Sequence, residues 1–154
     1  MRKVILIIAL LAFPLVCFGQ DATTKTTPKN EEQLNLPPEA EVFDWTKITP
    51  LDFLDVLKSR SGTLVTIWVY PPKDWIKKEH INQLCELVDS DKPAAPVVSV
   101  ISSYRPQPQS TVGNEAMFLI EGFRKGHYPP DLCSVHYFKG NPEEFRKWCK
   151  EQIK

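Results

Sequence analysis

The chain has 154 residues, with 19 basic and 19 acidic side chains and a formal net charge of zero. That balance gives no electrostatic reason to expect nucleic acid or anionic lipid as a partner. The length suits one domain, and four Trp, four Tyr and eight Phe supply enough apolar surface for a core that does not depend on disulfides.

The first residues are set apart from the rest. Arg2 and Lys3 are followed by an apolar run from Val4 to Phe18, and Gly19 is a small residue at the cleavage position. This is the pattern of a secretory signal peptide over residues 1–19. The run falls short of the ~20 residues a spanning helix needs, so no stable membrane span is expected after cleavage near Gly19. A lipoprotein modified at Cys17 is disfavoured, because Val16 stands where such sites carry Gly, Ala or Ser. Removal of residues 1–19 leaves 17 basic against 19 acidic residues. Residues 20–41, QDATTKTTPKNEEQLNLPPEAE, have no aromatic side chain and little apolar content. Such a segment cannot bury enough surface to offset its ordering entropy, and it reads as a disordered tether. Residues 42–154 are the expected single globular domain.

Thr49-Pro50-Leu51-Asp52 is a helix start, with a hydroxyl cap, Pro at the first helical position and a first-turn carboxylate. Phe53, Leu54 and Leu57 make its stripe, and Gly62 ends it. Residues 63–70, TLVTIWVY, are β-branched or aromatic almost throughout and bounded by Gly62 and Pro71-Pro72, which predicts a strand covered on both faces. Asp74 can cap a helix over residues 75–89, in which Ile81, Leu84, Cys85 and Val88 fall on one stripe. Residues 97–103 suit either a buried strand, the preferred reading, or a short helix. Residues 105–109, RPQPQ, form an irregular loop.

Ser110 or Thr111 opens the most strongly marked helix, which Arg124, Lys125, Gly126 and Pro129-Pro130 close. Val112, Ala116, Leu119, Ile120 and Phe123 share one stripe, while Met117 and Phe118 lie off it. A helix so broadly apolar is either central or has a second face for a partner. Residues 132–138, LCSVHYF, read as a second strand. Asn141-Pro142-Glu143-Glu144 starts a closing helix, with Phe145, Trp148, Cys149 and Ile153 as its stripe. The order predicts an α/β fold, a small layered sandwich of about three strands and four helices. If residues 97–103 are helical, the alternative is an α+β fold of five helices, with residues 63–70 and 132–138 paired.

Cys85, Cys133 and Cys149 survive signal cleavage. Rise per residue along a strand and a returning helix places Cys133 and Cys149 at similar height, so they are the expected pair if one forms. The preferred reading is that no pair forms and all three are buried free thiols acting as small hydrophobes. A metal would draw on His80, Cys85, His127, Cys133 and His136, but no local pair has chelating geometry, so no metal and no cofactor is expected. A thioredoxin-like redox site would need Cys-x-x-Cys after Val69; Tyr70-Pro71-Pro72-Lys73 stands there.

No catalytic constellation is evident. The leading expectation is a secreted or periplasmic, non-catalytic binding or accessory domain. Its partner is expected to be a protein or a cell-envelope component, not nucleic acid. The candidate binding residues gather at the two ends of the long helix: Arg105, Ser110, Thr111 and Gly113 at one, His127 and Tyr128 at the other. Ser110, Thr111 and Gly113 there could hold a phosphate or carboxylate on free helix N–H groups. The rival is a small serine-type hydrolase using Ser103 or Ser110 with His127, although no nucleophile-elbow motif is present.

Overall fold

A computed structural model describes residues 42–133 and 137–152. The expected signal peptide and tether, with Cys17, His136 and Ile153, lie outside the described residues. Helix α1, Pro50–Ser59, begins as the sequence dictates. The Thr49 hydroxyl accepts from the Asp52 N–H, and the Asp52 carboxylate accepts from the Thr49 N–H. Strand β1, Val65–Ile67, is followed by α2, Lys78–Glu86, then β2, Pro93–Ala94, and β3, Val97–Ser99. Strand β4, Ser110–Thr111, leads directly into α3, Val112–Lys125, and α4, Pro142–Gln152, closes the chain.

The described residues form a mixed α/β fold of four helices and two small sheets. Strand β1 pairs parallel with β3, Val65 opposite Val97 and Ile67 opposite Ser99, and β2 pairs antiparallel with β4. The preferred strand reading of residues 97–103 therefore holds for Val97–Ser99. The partner of β1 is that strand, and no described residue of 132–138 pairs with it. Leu132 and Cys133 are exposed, and neither they nor Tyr137 and Phe138 join a sheet.

Strand β1 is also shorter than its composition invites. The Trp45 indole donates to the Val69 carbonyl, 2.7 Å, and removes it from any ladder. Helix α2 begins three residues later than Asp74 predicts. Trp75 is buried and its indole donates to the Ile48 carbonyl, 2.9 Å, so tertiary packing holds the segment out of helix until Lys77.

Helix α3 is the centre. It packs against α1, α2, α4, β2 and β4. Met117 and Phe118 are buried along with Ala116, Leu119 and Ile120. The breadth of its apolar surface is thus accounted for by core packing. At roughly 1.5–3 kcal/mol per fully buried large side chain, this helix carries a large share of the fold's hydrophobic stabilisation. Thr111 caps it through the Asn114 N–H, and Gly126 leaves it in the left-handed region at φ 74°.

Packing of α4 against α2 settles the cysteines. Cys85 and Cys149 form a disulfide, with Cα atoms 5.8 Å apart, and Cys133 is a free, exposed thiol. Both the reading of three buried free thiols and the Cys133–Cys149 pair are therefore corrected. The Cys133–Cys149 pairing failed for a reason of local structure. It presumed a strand through Cys133 running alongside α4, and Cys133 sits in a bend instead.

Candidate functional site

Residues leaving β4 and entering α3 build a polar cluster beneath an open cavity. Glu115, in the first turn of α3, is fully buried. One of its oxygens, Oε1, receives three donors. Ser110 donates from β4 at 2.5 Å, Tyr137 donates from the segment before α4, and the Asn114 side-chain amide donates at 3.4 Å. The same amide reaches Ser110 Oγ at 3.3 Å and the Phe138 carbonyl at 3.2 Å. The Asn114 carbonyl oxygen accepts from the Gly140 N–H, 3.0 Å, so this one side chain fastens α3 to the loop that carries Tyr137.

The second carboxyl oxygen, Glu115 Oε2, has no hydrogen-bond partner among the described residues, and neither has the buried Tyr128 hydroxyl. Burial pushes the Glu115 carboxyl up from 4.5 to about 7, and the hydrogen bonds from Ser110, Tyr137 and Asn114 offset only part of this. The Tyr137 and Tyr128 phenols are both held well above the ordinary tyrosine range, first by burial and then by the negative charge of Glu115. A fully buried carboxyl group with no basic side chain among the groups that act on it is costly to ionise.

The cavity above the cluster has a volume of about 710 Å³. Ser110, Asn114 and Tyr137 form its polar floor, Met117, Phe138 and Tyr104 are apolar walls, and Asp89, Asp91 and Lys139 stand around it. A volume of this order suits a small organic ligand. Asp89 is paired with Arg146 at 2.9 Å.

The structure disperses several of the sequence candidates. Ser110 and Thr111 line the cavity. Gly113 does not; its absent side chain lets α3 approach the end of α2, where a Cβ would meet the Val88 carbonyl oxygen at 2.6 Å. The first-turn N–H groups of α3 are already used. Val112 donates to the Lys92 carbonyl at 2.8 Å, Gly113 to that of Ser90 at 2.9 Å, and Asn114 to Thr111 Oγ1 at 3.1 Å. The expected anion site on Ser110, Thr111 and Gly113 therefore has no free donors to offer.

Arg105 donates to the Ser99 carbonyl, 3.4 Å. His127 lies beyond the far end of α3, where its Nδ1 meets the Pro129 carbonyl oxygen at 2.9 Å. Fourteen residues at ~1.5 Å rise separate the two helix ends by about 20 Å, so Ser110 and His127 cannot form a dyad and the two loops do not make one surface. Tyr128 belongs to the aromatic core, against Phe53, Trp75 and Phe118.

Sequence reasoning missed Glu115, Asn114 and Tyr137. An acidic residue in a helix's first turn is ordinarily explained by the dipole, which masks the signal. The available clue is that Glu115 falls between the apolar Leu119 and Phe118 around the helix, inside its broad apolar circumference. Among the described residues, no group of three or more His, Cys, Asp or Glu could hold a metal ion. No protein-family model, curated protein or solved structure matches the chain.

Proposed function

We propose that this is a secreted or periplasmic binding domain whose ligand occupies the cavity at the start of α3. The observation that carries the reading is the cavity's construction. An open space of about 710 Å³ is lined by Met117, Phe138 and Tyr104 together with Ser110, Asn114 and Tyr137, whose side chains are fixed by hydrogen bonds to one another or to Glu115. Such a combination gives both affinity and orientation to a small molecule. The Cys85–Cys149 disulfide is compatible with an oxidising compartment. No described helix is long and apolar enough to cross a membrane.

Saturation-transfer NMR against a library of small polar and aromatic molecules tests this. Gln109 is exposed at the cavity wall, so Gln109→Trp fills the space with little cost to the core. Compounds that bind the wild type and lose binding to Gln109→Trp support the reading; binders indifferent to that substitution place the site elsewhere.

Hydrolysis by Ser110 has one observation in its favour. Glu115, not His127, would be the base, at 2.5 Å from the Ser110 hydroxyl and with its carboxyl near 7. Turnover of chromogenic esters that vanishes in Ser110→Ala would favour this second reading over binding alone.

A further inference from the structure

Resting on the cavity reading above, we propose that the ligand is an organic cation, an ammonium bearing N–H donors on an apolar stem, seated on Ser110 and Tyr137 with Glu115 as the buried counter-charge. The hydrogen-bond directions set this choice. Ser110 and Tyr137 both line the cavity, and their hydroxyls both spend their protons on Glu115 Oε1. The Asn114 amide protons are directed at Phe138 O and Ser110 Oγ. What remains at the floor for a ligand is oxygen lone pairs. The α3 N–H groups that would attract an anion are consumed by Lys92 O, Ser90 O and Thr111 Oγ1.

Charge points the same way. Among the described residues, an ionised Glu115 has no counter-cation. The groups acting on it are Ser110 from β4, Tyr137 from the segment before α4, Asn114 from α3 and, most weakly, the Val97 backbone in β3. Its charge is also felt at the Tyr128 phenol beyond the end of α3. Each is neutral in its ordinary state, and an ammonium one hydrogen bond away would supply the missing charge. Of the charged residues around the cavity, Asp89 is neutralised by Arg146, while Asp91 forms no ion pair among the described residues and adds attraction for a cation. Lys139 is the opposing charge, and it is exposed. Met117, Phe138 and Tyr104 provide apolar contact for the stem.

Linkage follows. If the cation prefers the ionised form of Glu115, its affinity rises with pH as that form becomes populated, and binding below neutrality releases a proton. The floor also changes character with that proton. When Glu115 is protonated, fewer of its lone pairs hold the Ser110 and Tyr137 protons, and those hydroxyls are free to donate outward.

The experiment is calorimetry on the signal-cleaved chain with four probes of one stem length: hexylammonium, hexyltrimethylammonium, hexanol and hexanoate. Hexylammonium is expected to bind tightest, and tenfold or more tighter at about pH 8.5 than at about pH 5.5. Hexyltrimethylammonium, with the charge but no N–H, is expected to bind several-fold more weakly. Glu115→Gln is expected to remove both the preference for ammonium and its pH dependence. If that variant does not fold, the wild-type probe series decides alone. Hexanol or hexanoate binding as well as hexylammonium overturns the cation proposal while leaving the cavity reading intact. Pre-filling the site by Gln109→Trp without effect on hexylammonium binding overturns both, as does an absence of binding by all four probes.

Discussion

Replacing Glu115 with Gln isolates the energetic consequence of burying a carboxyl group without a cation. Burial raises its pKa from 4.5 to about 7. At ~1.4 kcal/mol per tenfold change in proton affinity, that difference corresponds to about 3 kcal/mol. The folded chain binds this proton more tightly than the unfolded chain. The stabilisation is therefore complete below about pH 4.5, declines as pH rises, and is lost above about pH 7. Glu115→Gln keeps the acceptor for Ser110 and Tyr137 but cannot titrate. It places an amide N–H₂ where Oε2 lacks a partner, which costs a pH-independent amount.

The assay is urea unfolding of both proteins at intervals from about pH 4 to about pH 8.5, reading the difference in unfolding free energy. Asp44, lowered to about 2 by Lys47 and by Thr46, and Asp52, lowered by the Thr49 backbone and side chain, contribute with the opposite sign. Both groups are present in both proteins and cancel in the difference. The expected result is that the wild type loses about 3 kcal/mol relative to Glu115→Gln across this range. Parallel curves would refute the reasoning, because they would mean that Glu115 ionises as easily when folded as when unfolded.

The remaining predictions concern the frame of the site. Cys85 and Cys149 are separated by 64 positions, so reduction or Cys149→Ser should destabilise the fold by up to about 4 kcal/mol on the loop-entropy argument, seen as a lower urea midpoint. Alkylation of the unreduced, folded protein should label Cys133 and neither Cys85 nor Cys149 in a peptide map. Gly113→Ala should cost about 1–3 kcal/mol, because its Cβ would press on the backbone oxygens of Val88 and Ser90 at 2.6 and 2.8 Å. Thr49→Ala should cost about 1 kcal/mol by thermal or urea unfolding, through loss of the α1 capping box.

Features fixed by local chemistry were legible in the sequence. The start of α1, both ends of α3 and the start of α4 follow from caps, Pro and Gly, which act within a few residues. The centrality of α3 followed from its apolar breadth. Features set by distant partners were not legible. Trp75 is drawn to Ile48, which delays α2, and Trp45 takes the carbonyl of Val69, which shortens β1. The disulfide depended on which helix α4 would meet. A better clue existed, since Cys85 and Cys149 both lie on the core stripes of amphipathic helices, whereas Cys133 sits in a bend and is exposed. At the site, Ser110 and Thr111 were found as caps. Glu115 was hidden by its favourable place in a first turn, and Tyr137 by the apolar run around it.

The proposed ligand site is the cavity lined by Ser110 and Tyr137. Met117 lines it, and the only other methionine is Met1, which the expected signal cleavage removes. A chain beginning near Gln20 and labelled at its methionine methyl carbon should therefore show one methyl resonance, located in the cavity wall. That resonance should shift on titration with hexylammonium and give cross-relaxation to the stem protons. A methyl signal unmoved at saturating ligand, with binding still measured by calorimetry, would contradict that placement.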